Sequence, residues 1–413
     1  MTAVFPLRSQ SGKASPIFTG YHLKWYNICS LCFLLGVISM NKILPAVLLI
    51  FLLMEAQSPL NTGAAHPAEY FEAVVSVGVG SMADALIIDA DGAVWSRMLE
   101  SYDANAPHWS APQADAVWNA YWVSFLLDEY GVLWACGGTA DAPSGIDSGE
   151  YPAGYVSDWT PVLENVVALD SDSTTTAALQ ADGTLWAWGM LPGGTMTYTP
   201  VCVTGGVRAF SHEGYAVKAD NALYAWSGRA EADGIRCTVD SIMLDVARVE
   251  GDYAIELDGT LWRLNANQPP QKVMDNVISV MADGGEICAL DRNGGLWCWP
   301  FGDWSQPRKV ADDCAYIVRR GLEDIQAALF IDENNTLNAV YWGGGRAGEV
   351  VPLEQDVLYA EAGYDRVVLY VKPDGSLWLI DFGVLEDGVL SVPTGSLSPD
   401  APRVKLMDKV KMP

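Results

Sequence analysis

The fold is decided by residues 166–203, which read VVALDSDSTTTAALQADGTLWAWGMLPGGTMTYTPVCV. A Val-rich strand and an apolar strand lead into Asp182-Gly183, and a second apolar strand with Trp186 and Trp188 follows. Asp-Gly supplies the left-handed backbone of a tight hairpin turn, so the stretch predicts a β-hairpin. Both faces of the flanking strands are apolar and have to be covered, which a single open sheet cannot do.

The same hairpin recurs along the chain, and its turns lie 35 to 52 residues apart. A spacing of this kind is typical of repeat architectures, in which neighbouring units bury one another's apolar faces. We count eight copies, with turns at Asp91-Gly92, Tyr130-Gly131, Asp182-Gly183, Asp220-Asn221, Asp258-Gly259, Asn293-Gly294, Asn334-Asn335 and Asp374-Gly375. The recurring Trp residues are interpreted as core packing between units rather than as sugar-stacking platforms.

The two ends of the repeat array complement each other. A Pro-led strand and a Val-rich strand precede most hairpins, as in residues 161–166. The first hairpin lacks its Pro-led strand, and the last such segment, residues 402–410, has no hairpin after it. We therefore predict an all-β, closed β-propeller of four-stranded antiparallel blades, in which the C-terminal strand pairs with the first hairpin. Eight blades are preferred, and seven are the main alternative.

These residues resemble the repeat of the regulator of chromosome condensation family. The shared pattern is a Val-rich strand, an apolar strand, Asp-Gly-x-Leu-Trp-x-Trp-Gly, a loop and Pro-x-x-Val, and the resemblance covers roughly residues 70–413. It implies a propeller, usually with seven blades in that family. The family's Gly-Gln-Leu-Gly signature is absent from every repeat here. The chain is thus similar to a divergent, secreted form, and we do not expect the nucleotide exchange that is associated with the family.

The N-terminal 65 residues differ in composition from the rest and predict export. Residues 40–65 have a basic start, an apolar run and the small residues Gly63-Ala64-Ala65, which is the layout of a signal peptide. Residues 1–39 are either a mis-assigned extension before a true start at Met40 or part of an uncleaved signal anchor over residues 28–54. The propeller is predicted over residues 66–413, in the extracellular space or on the cell surface, and membrane attachment is expected only with the anchor.

Charge and composition narrow the possible functions. The chain has 51 Asp and Glu against 24 Lys and Arg, a net charge of -27, which has the wrong sign for a nucleic-acid partner. Beyond the leader only His66, His108 and His212 occur, in separate units, so no catalytic residue and no metal site is predicted. The glycine-rich residues 78–83 precede a strand rather than a helix, so no cofactor is expected.

One cysteine pair follows from hairpin register. If Arg292-Asn293-Gly294 is a three-residue turn, Cys288 lies directly opposite Cys298. A cross-strand disulfide and two packed thiols both remain open, because directly paired strand positions often strain a disulfide.

The predicted binding surface is the rim with the long, dissimilar loops, opposite the Asp-Gly turns. We expect a non-enzymatic monomer that binds a protein partner there; the alternative is a carbohydrate-binding or carbohydrate-processing propeller with acidic residues near its central channel. The candidate partner-binding aromatic residues are Trp109, Tyr151, Tyr155, Trp159, Tyr198, Phe301 and Trp304. They can equally fold back as local loop cores. Acidic residues at Glu213, Glu250, Asp252, Asp283 and Glu286 indicate either a basic partner or a solvated edge near the same rim.

Overall fold

A computed structural model describes the chain between residues 75 and 410. The gaps within that range are residues 78–84, 98–110, 121–122, 139–143, 148–154, 233, 266–267, 284–285, 300–306, 319–326, 342–345, 347, 363–366, 383, 387–388, 392–400, 402 and 409. The predicted signal peptide and N-terminal extension therefore lie outside the described residues. Within them, no helix has the length and apolar character needed to cross a membrane.

The described residues form 33 β-strands in sequential antiparallel sheets. The first four sheets are built from β1 (Val75–Val77), β2 (Ala85–Ile88), β3 (Val94–Arg97), β4 (Ala114–Ala120), β5 (Val123–Asp128), β6 (Leu133–Gly138), β7 (Tyr155–Leu163), β8 (Val166–Ser171), β9 (Thr175–Gln180), β10 (Leu185–Leu191), β11 (Thr195–Thr204), β12 (Val207–Ser211), β13 (Tyr215–Lys218), β14 (Leu223–Glu231) and β15 (Gly234–Met243). The remaining strands are β16 (Val246–Glu250), β17 (Tyr253–Glu256), β18 (Leu261–Asn265), β19 (Gln268–Met274), β20 (Val277–Asp283), β21 (Glu286–Asp291), β22 (Leu296–Cys298), β23 (Arg308–Ala311), β24 (Cys314–Ile317), β25 (Ala327–Asp332), β26 (Leu337–Tyr341), β27 (Val350–Glu354), β28 (Tyr359–Ala362), β29 (Val367–Val371), β30 (Leu377–Asp381), β31 (Val384–Glu386), β32 (Val389–Ser391) and β33 (Arg403–Met407).

The sheets confirm the predicted propeller of four-stranded antiparallel blades. Seven sheets have four strands each; six of them take their strands in chain order, and the last is β28-β29-β30-β33. The first repeat contributes a three-stranded sheet, β1-β2-β3, and β31 and β32 form a separate hairpin. Seven complete blades in the described residues agree with the seven-blade alternative, and the preference for eight is not confirmed.

Hydrogen bonds between neighbouring blades run around the ring and close it. The backbone N–H at the start of each first strand donates to a carbonyl in the preceding hairpin turn, as Val207 does to Gly183 at 2.9 Å. At the end of the chain, the Val410 N–H donates to Gly375 at 2.8 Å, and Val410 forms an antiparallel bridge with Asp89 of the first hairpin. The C-terminal segment therefore meets the first hairpin through Val410, whereas β33 itself pairs with β30 as the outer strand of the last blade.

The core lies between blades. One cluster joins Leu185 and Ala177 of the β8–β11 blade to Phe210 and Trp226 of the β12–β15 blade. The first strands of successive blades contact one another, as β12 contacts β16, so they line the centre of the ring. Fourth strands such as β15 are the most exposed and form its outer edge.

The recurring Trp residues have two roles. Trp188 is fully buried and fills space between blades, as predicted. Trp134 is only partly buried, and its indole N–H donates to Asp128 Oδ2 at 2.9 Å. Oδ1 of the same carboxylate accepts the N–H groups of Tyr130 and Val132, both at 2.9 Å. This carboxylate ties the hairpin turn to the Trp strand, and Asp89, Asp291 and Asp332 do the same in other repeats, with Asn338 in place of Trp beside Asp332.

Cys288 and Cys298 are cross-strand partners in the β21–β22 register and form a disulfide, with their Cα atoms 4.2 Å apart. The other cysteines of the described residues are free: Cys136 and Cys314 are buried, Cys237 is partly buried and Cys202 is exposed.

Candidate functional site

The strand order places two kinds of connection on opposite rims of the propeller. The Asp-Gly turns lie on one rim, together with the turns that lead into each first strand, because hydrogen bonds such as Val207 N–H to Gly183 join the two. The connections between first and second strands, and between third and fourth strands, lie on the other rim, which we call the loop rim. Residues 212–214 of the loop rim, for example, contact the Trp strand of their own blade, where the backbone N–H of Trp226 donates to the Gly214 carbonyl at 2.7 Å.

His212 occupies the loop rim between β12 and β13 and is anchored to the neighbouring blade. Its ring Nδ1 lies 2.8 Å from Oδ2 of Asp170 on β8, and its backbone N–H donates to the same oxygen at 3.0 Å. Asp170 is buried, with only 7% of its side chain exposed. The two contacts set the position and the ring orientation of His212, and they join two blades at the inner part of the rim.

Two further carboxylates face the other ring nitrogen of His212. Asp172 Oδ2 lies 3.8 Å from Nε2, and Glu213 Oε1 lies 3.6 Å from it. The His212 side chain is 16% exposed, whereas Asp172 and Glu213 are 40% and 48% exposed. We call Asp170, Asp172, His212 and Glu213 the His212 cluster; it opens to solvent through its two outer carboxylates.

The Asp172 carboxylate is held by its own loop. Its Oδ1 accepts the backbone N–H groups of Thr174 at 2.7 Å and Thr175 at 2.6 Å. Because these bonds occupy Oδ1, the second oxygen, Oδ2, is the one that faces His212.

The electrostatics of the cluster favour a cation. Burial by itself lowers the pKa of His212, but the charge and hydrogen bond of Asp170, with contributions from Glu213 and Asp172, raise that pKa well above 6.5. The hydrogen bond with His212 in turn lowers the pKa of Glu213. Burial and the charge of Glu213 raise the pKa of Asp252, on the next blade. Even with His212 protonated, negative charge remains in excess at this part of the loop rim.

Next to the cluster, two long hairpins are tied together. They are β10–β11, with its turn at residues 192–194, and β14–β15, with its turn near residue 232. Gly228 N–H donates to Pro192 at 2.8 Å, and the Thr195 hydroxyl donates to the Gly228 carbonyl at 2.9 Å. A Cβ at Gly228 would press against the Leu191 side chain, so glycine eases the close approach of the two hairpins. Met190, 40% exposed, and the partly exposed Tyr198 belong to this pair of hairpins.

The predicted aromatic residues are only partly within the described residues. Trp159 is partly buried and packs against the core cluster that contains Leu86 and Ile88, as the local-core alternative expects. Tyr198 lies on β11 and is partly exposed. Tyr155 begins β7, and the structure describes only its backbone. Outside the described residues lie Trp109, Tyr151, Phe301 and Trp304.

The predicted acidic residues lie at first-to-second-strand connections of the loop rim. Glu213 and Asp252 lie in the β12–β13 and β16–β17 turns, and Glu250 ends β16. Asp283 and Glu286 flank the β20–β21 connection, where the backbone alone is described.

Sequence reasoning missed the pairing of His212 with Asp170 and Asp172. A signal was present, because Asp170-Ser171-Asp172 and Ser211-His212-Glu213 follow the Val-rich strand at corresponding places in successive repeats. Aligned repeats place such residues side by side on one rim once the propeller is closed.

No family model matches the chain, and no curated protein matches it. Among solved structures, the chain is similar to Prp20p from Saccharomyces cerevisiae, whose structure was reported with its binding to Gsp1p and histones. The identity is 14%, the match covers 84% of this chain and 90% of Prp20p, and the TM-score is 0.42. Yeast RCC1 (Prp20) bound to Kap60 gives 14% identity, coverage of 82% and 89%, and a TM-score of 0.44. Human WBSCR16 gives 15% identity, coverage of 59% and 82%, and a TM-score of 0.41. RCC1 is thus among the structural neighbours, as the repeat resemblance predicts, and likeness at this level assigns no activity to the chain.

Proposed function

We propose that this protein is a non-enzymatic β-propeller that binds a protein partner through its loop rim. One observation carries the proposal: the connections of the loop rim differ widely in length, from two residues between β16 and β17 to sixteen between β6 and β7, whereas those of the opposite rim are uniform at two to five residues. On that opposite rim the same carboxylate-capped turn recurs from repeat to repeat. A rigid scaffold with variable loops on one side is the usual arrangement of a recognition surface.

The tied hairpins and their surroundings suit a protein partner. The β10–β11 and β14–β15 hairpins are linked by hydrogen bonds, so presenting Tyr198 and Met190 to a partner costs little loop entropy. Aromatic side chains on a pre-organised surface are frequent anchors in protein interfaces. The acidic surroundings of His212 and Asp252, together with the net charge of -27, favour a basic partner and speed its association.

We further propose that the protein acts outside the cell or on its surface. The Cys288–Cys298 disulfide supports an oxidising compartment, since such bonds are rare in reducing ones. Mass spectrometry of the protein recovered from cells and medium after expression of the full gene tests this. A mature chain that begins near residue 66 is expected in the medium, and an intact chain confined to the cytosol would contradict export.

The binding proposal is tested by affinity capture from the envelope and extracellular fractions of the native host. A loop-rim variant carries Met190→Ser, Tyr198→Ser and Asp252→Asn. A control variant carries Tyr130→Ser and Leu257→Ser on the opposite rim, where both side chains are also exposed, by 78% and 54%. Circular dichroism and thermal unfolding confirm that both variants are folded before capture.

A protein retained by the wild type and the control, and lost by the loop-rim variant, is the expected result. Loss with the control variant alone would place the interface on the opposite rim. Retention of the same proteins by all three forms would refute the loop-rim interface. A glycan array and a glycosidase panel accompany the capture, and specific glycan binding or turnover would favour the carbohydrate alternative.

A further inference from the structure

We propose that Asp172, His212 and Glu213 form a binding site for a divalent transition metal of the zinc class. The three donor atoms, Asp172 Oδ2, His212 Nε2 and Glu213 Oε1, all lie within 4.8 Å of one another. The distances from Nε2 to the two carboxylate oxygens are 3.8 and 3.6 Å. Tetrahedral zinc with bonds of roughly 2.0–2.2 Å places its ligands about 3.3–3.6 Å apart. The two distances from Nε2 are near that spacing, and the two carboxylate oxygens, which lie within 4.8 Å of each other, would move closer together around the ion.

Asp170 has the position of a second-shell partner to a metal-binding histidine. Its Oδ2 accepts the Nδ1 hydrogen at 2.8 Å, which leaves Nε2 as the nitrogen that faces the two outer carboxylates. Metal-ligating histidines almost always donate their second ring N–H to a carboxylate or a carbonyl in this way. Asp170 is thus a positioning residue, and its burial in β8 keeps it in place.

The two outer carboxylates complete a donor set that distinguishes among metals. One imidazole and two carboxylates suit zinc and related transition metals, whereas calcium requires six to eight oxygen ligands. Two carboxylates also balance the charge of a divalent ion.

The arrangement leaves a fourth coordination position on the solvent side. Asp172 and Glu213 are each close to half exposed, so water or a side chain of another molecule can reach a bound ion. Three protein ligands with one open position are typical of zinc sites that interact with a further molecule rather than of closed structural sites. This inference goes beyond the proposed partner binding and does not depend on it.

The test is zinc binding by the full chain, measured by competition with a chromophoric chelator, and cobalt binding, followed by its visible absorption. One ion per chain is expected. His212→Ala and His212→Gln should each lower the zinc affinity at least 100-fold. Asp170→Asn should lower it 10- to 100-fold, because the hydrogen bond that holds the second ring nitrogen of His212 is weakened. Zinc should raise the thermal midpoint of the wild type and leave that of the folded His212→Gln protein unchanged.

Two control variants exclude other sites. Asp220→Asn lies in a hairpin turn of the same blade on the opposite rim and should leave affinity unchanged, because asparagine keeps the oxygen that caps Ala222. Cys202→Ser removes the exposed thiol and should also bind normally. The proposal is overturned if the wild type binds no zinc, if both His212 variants bind like the wild type, if Cys202→Ser abolishes binding, or if calcium displaces zinc at equal concentration.

Discussion

Replacing Asp128 by alanine tests the repeated turn device at one hairpin. The substitution removes three hydrogen bonds of 2.9 Å, from the N–H groups of Tyr130 and Val132 and from the Trp134 indole. Bonds to a charged acceptor contribute about 1.5–3 kcal/mol each when both groups are desolvated, and less where water replaces the lost partner. The turn is exposed but Asp128 itself is 7% exposed, so we expect a loss of about 3 kcal/mol.

The assay is urea unfolding followed by circular dichroism and Trp fluorescence, with a double-mutant cycle. Trp134→Phe removes the indole N–H alone, and its coupling energy with Asp128→Ala should be about 1.5 kcal/mol. Asp128→Asn should lose roughly half as much as alanine, since Oδ1 still accepts the two backbone N–H groups.

The matched control is Gln180→Ala, because Gln180 holds the corresponding place in the β9–β10 hairpin. It accepts the Trp186 indole N–H at 2.7 Å and donates to the Glu164 carbonyl, but it carries no charge. Its removal should cost about 1 kcal/mol. A loss below about 1 kcal/mol for Asp128→Ala, or zero coupling with Trp134→Phe, would refute the view that this carboxylate stabilises the hairpin.

Three further outcomes are expected. Burial raises the pKa of the Cys314 thiol to about 12, so this thiol should react slowly with iodoacetamide in the native protein. Peptide mass spectrometry should show the exposed Cys202 modified and Cys314 unmodified. Rapid modification of both cysteines would contradict the burial of Cys314. Cys298→Ser removes a disulfide that closes a loop with a sequence separation of 10 and should cost ~2.5 kcal/mol in urea unfolding, whereas an unchanged midpoint would argue against the bond. Burial opposes ionisation of Glu354, but the hydrogen bond and charge of Lys372 outweigh it and lower the pKa of this carboxyl from 4.5. The Glu354–Lys372 pair therefore contributes to stability above pH 4.5, and this contribution is lost as the pH falls through the lowered pKa. Glu354→Gln should therefore flatten the acid limb of a plot of thermal midpoint against pH, and identical limbs would show that the pair contributes nothing.

Local features could be predicted because they depend on neighbouring residues. The Asp182-Gly183 pair predicts a tight turn because glycine can adopt a positive φ that residues with a side chain rarely adopt. The structure has Gly183 at a φ of 85°. The register that sets Cys288 opposite Cys298 follows from counting outward from a short turn. The pattern of strands and turns could therefore be predicted across the repeats that the structure describes.

The candidate site was harder to predict from the sequence, because its residues come from different repeats. Asp170 and His212 are 42 residues apart, and the distance between their side chains depends on how two blades stack. The partner of β33 also depended on the closed ring, in which Val410 rather than the whole strand meets the first hairpin.

By itself, the sequence determined the hairpins, their repetition and the acidic character of the protein, because turn geometry, strand alternation and charge are properties of short segments. Only the tertiary structure decided which strands complete the blades and which side chains meet on the loop rim. The physical reason is that these contacts cross between blades, where closure of the ring, and not the conformation of any one repeat, sets the distances.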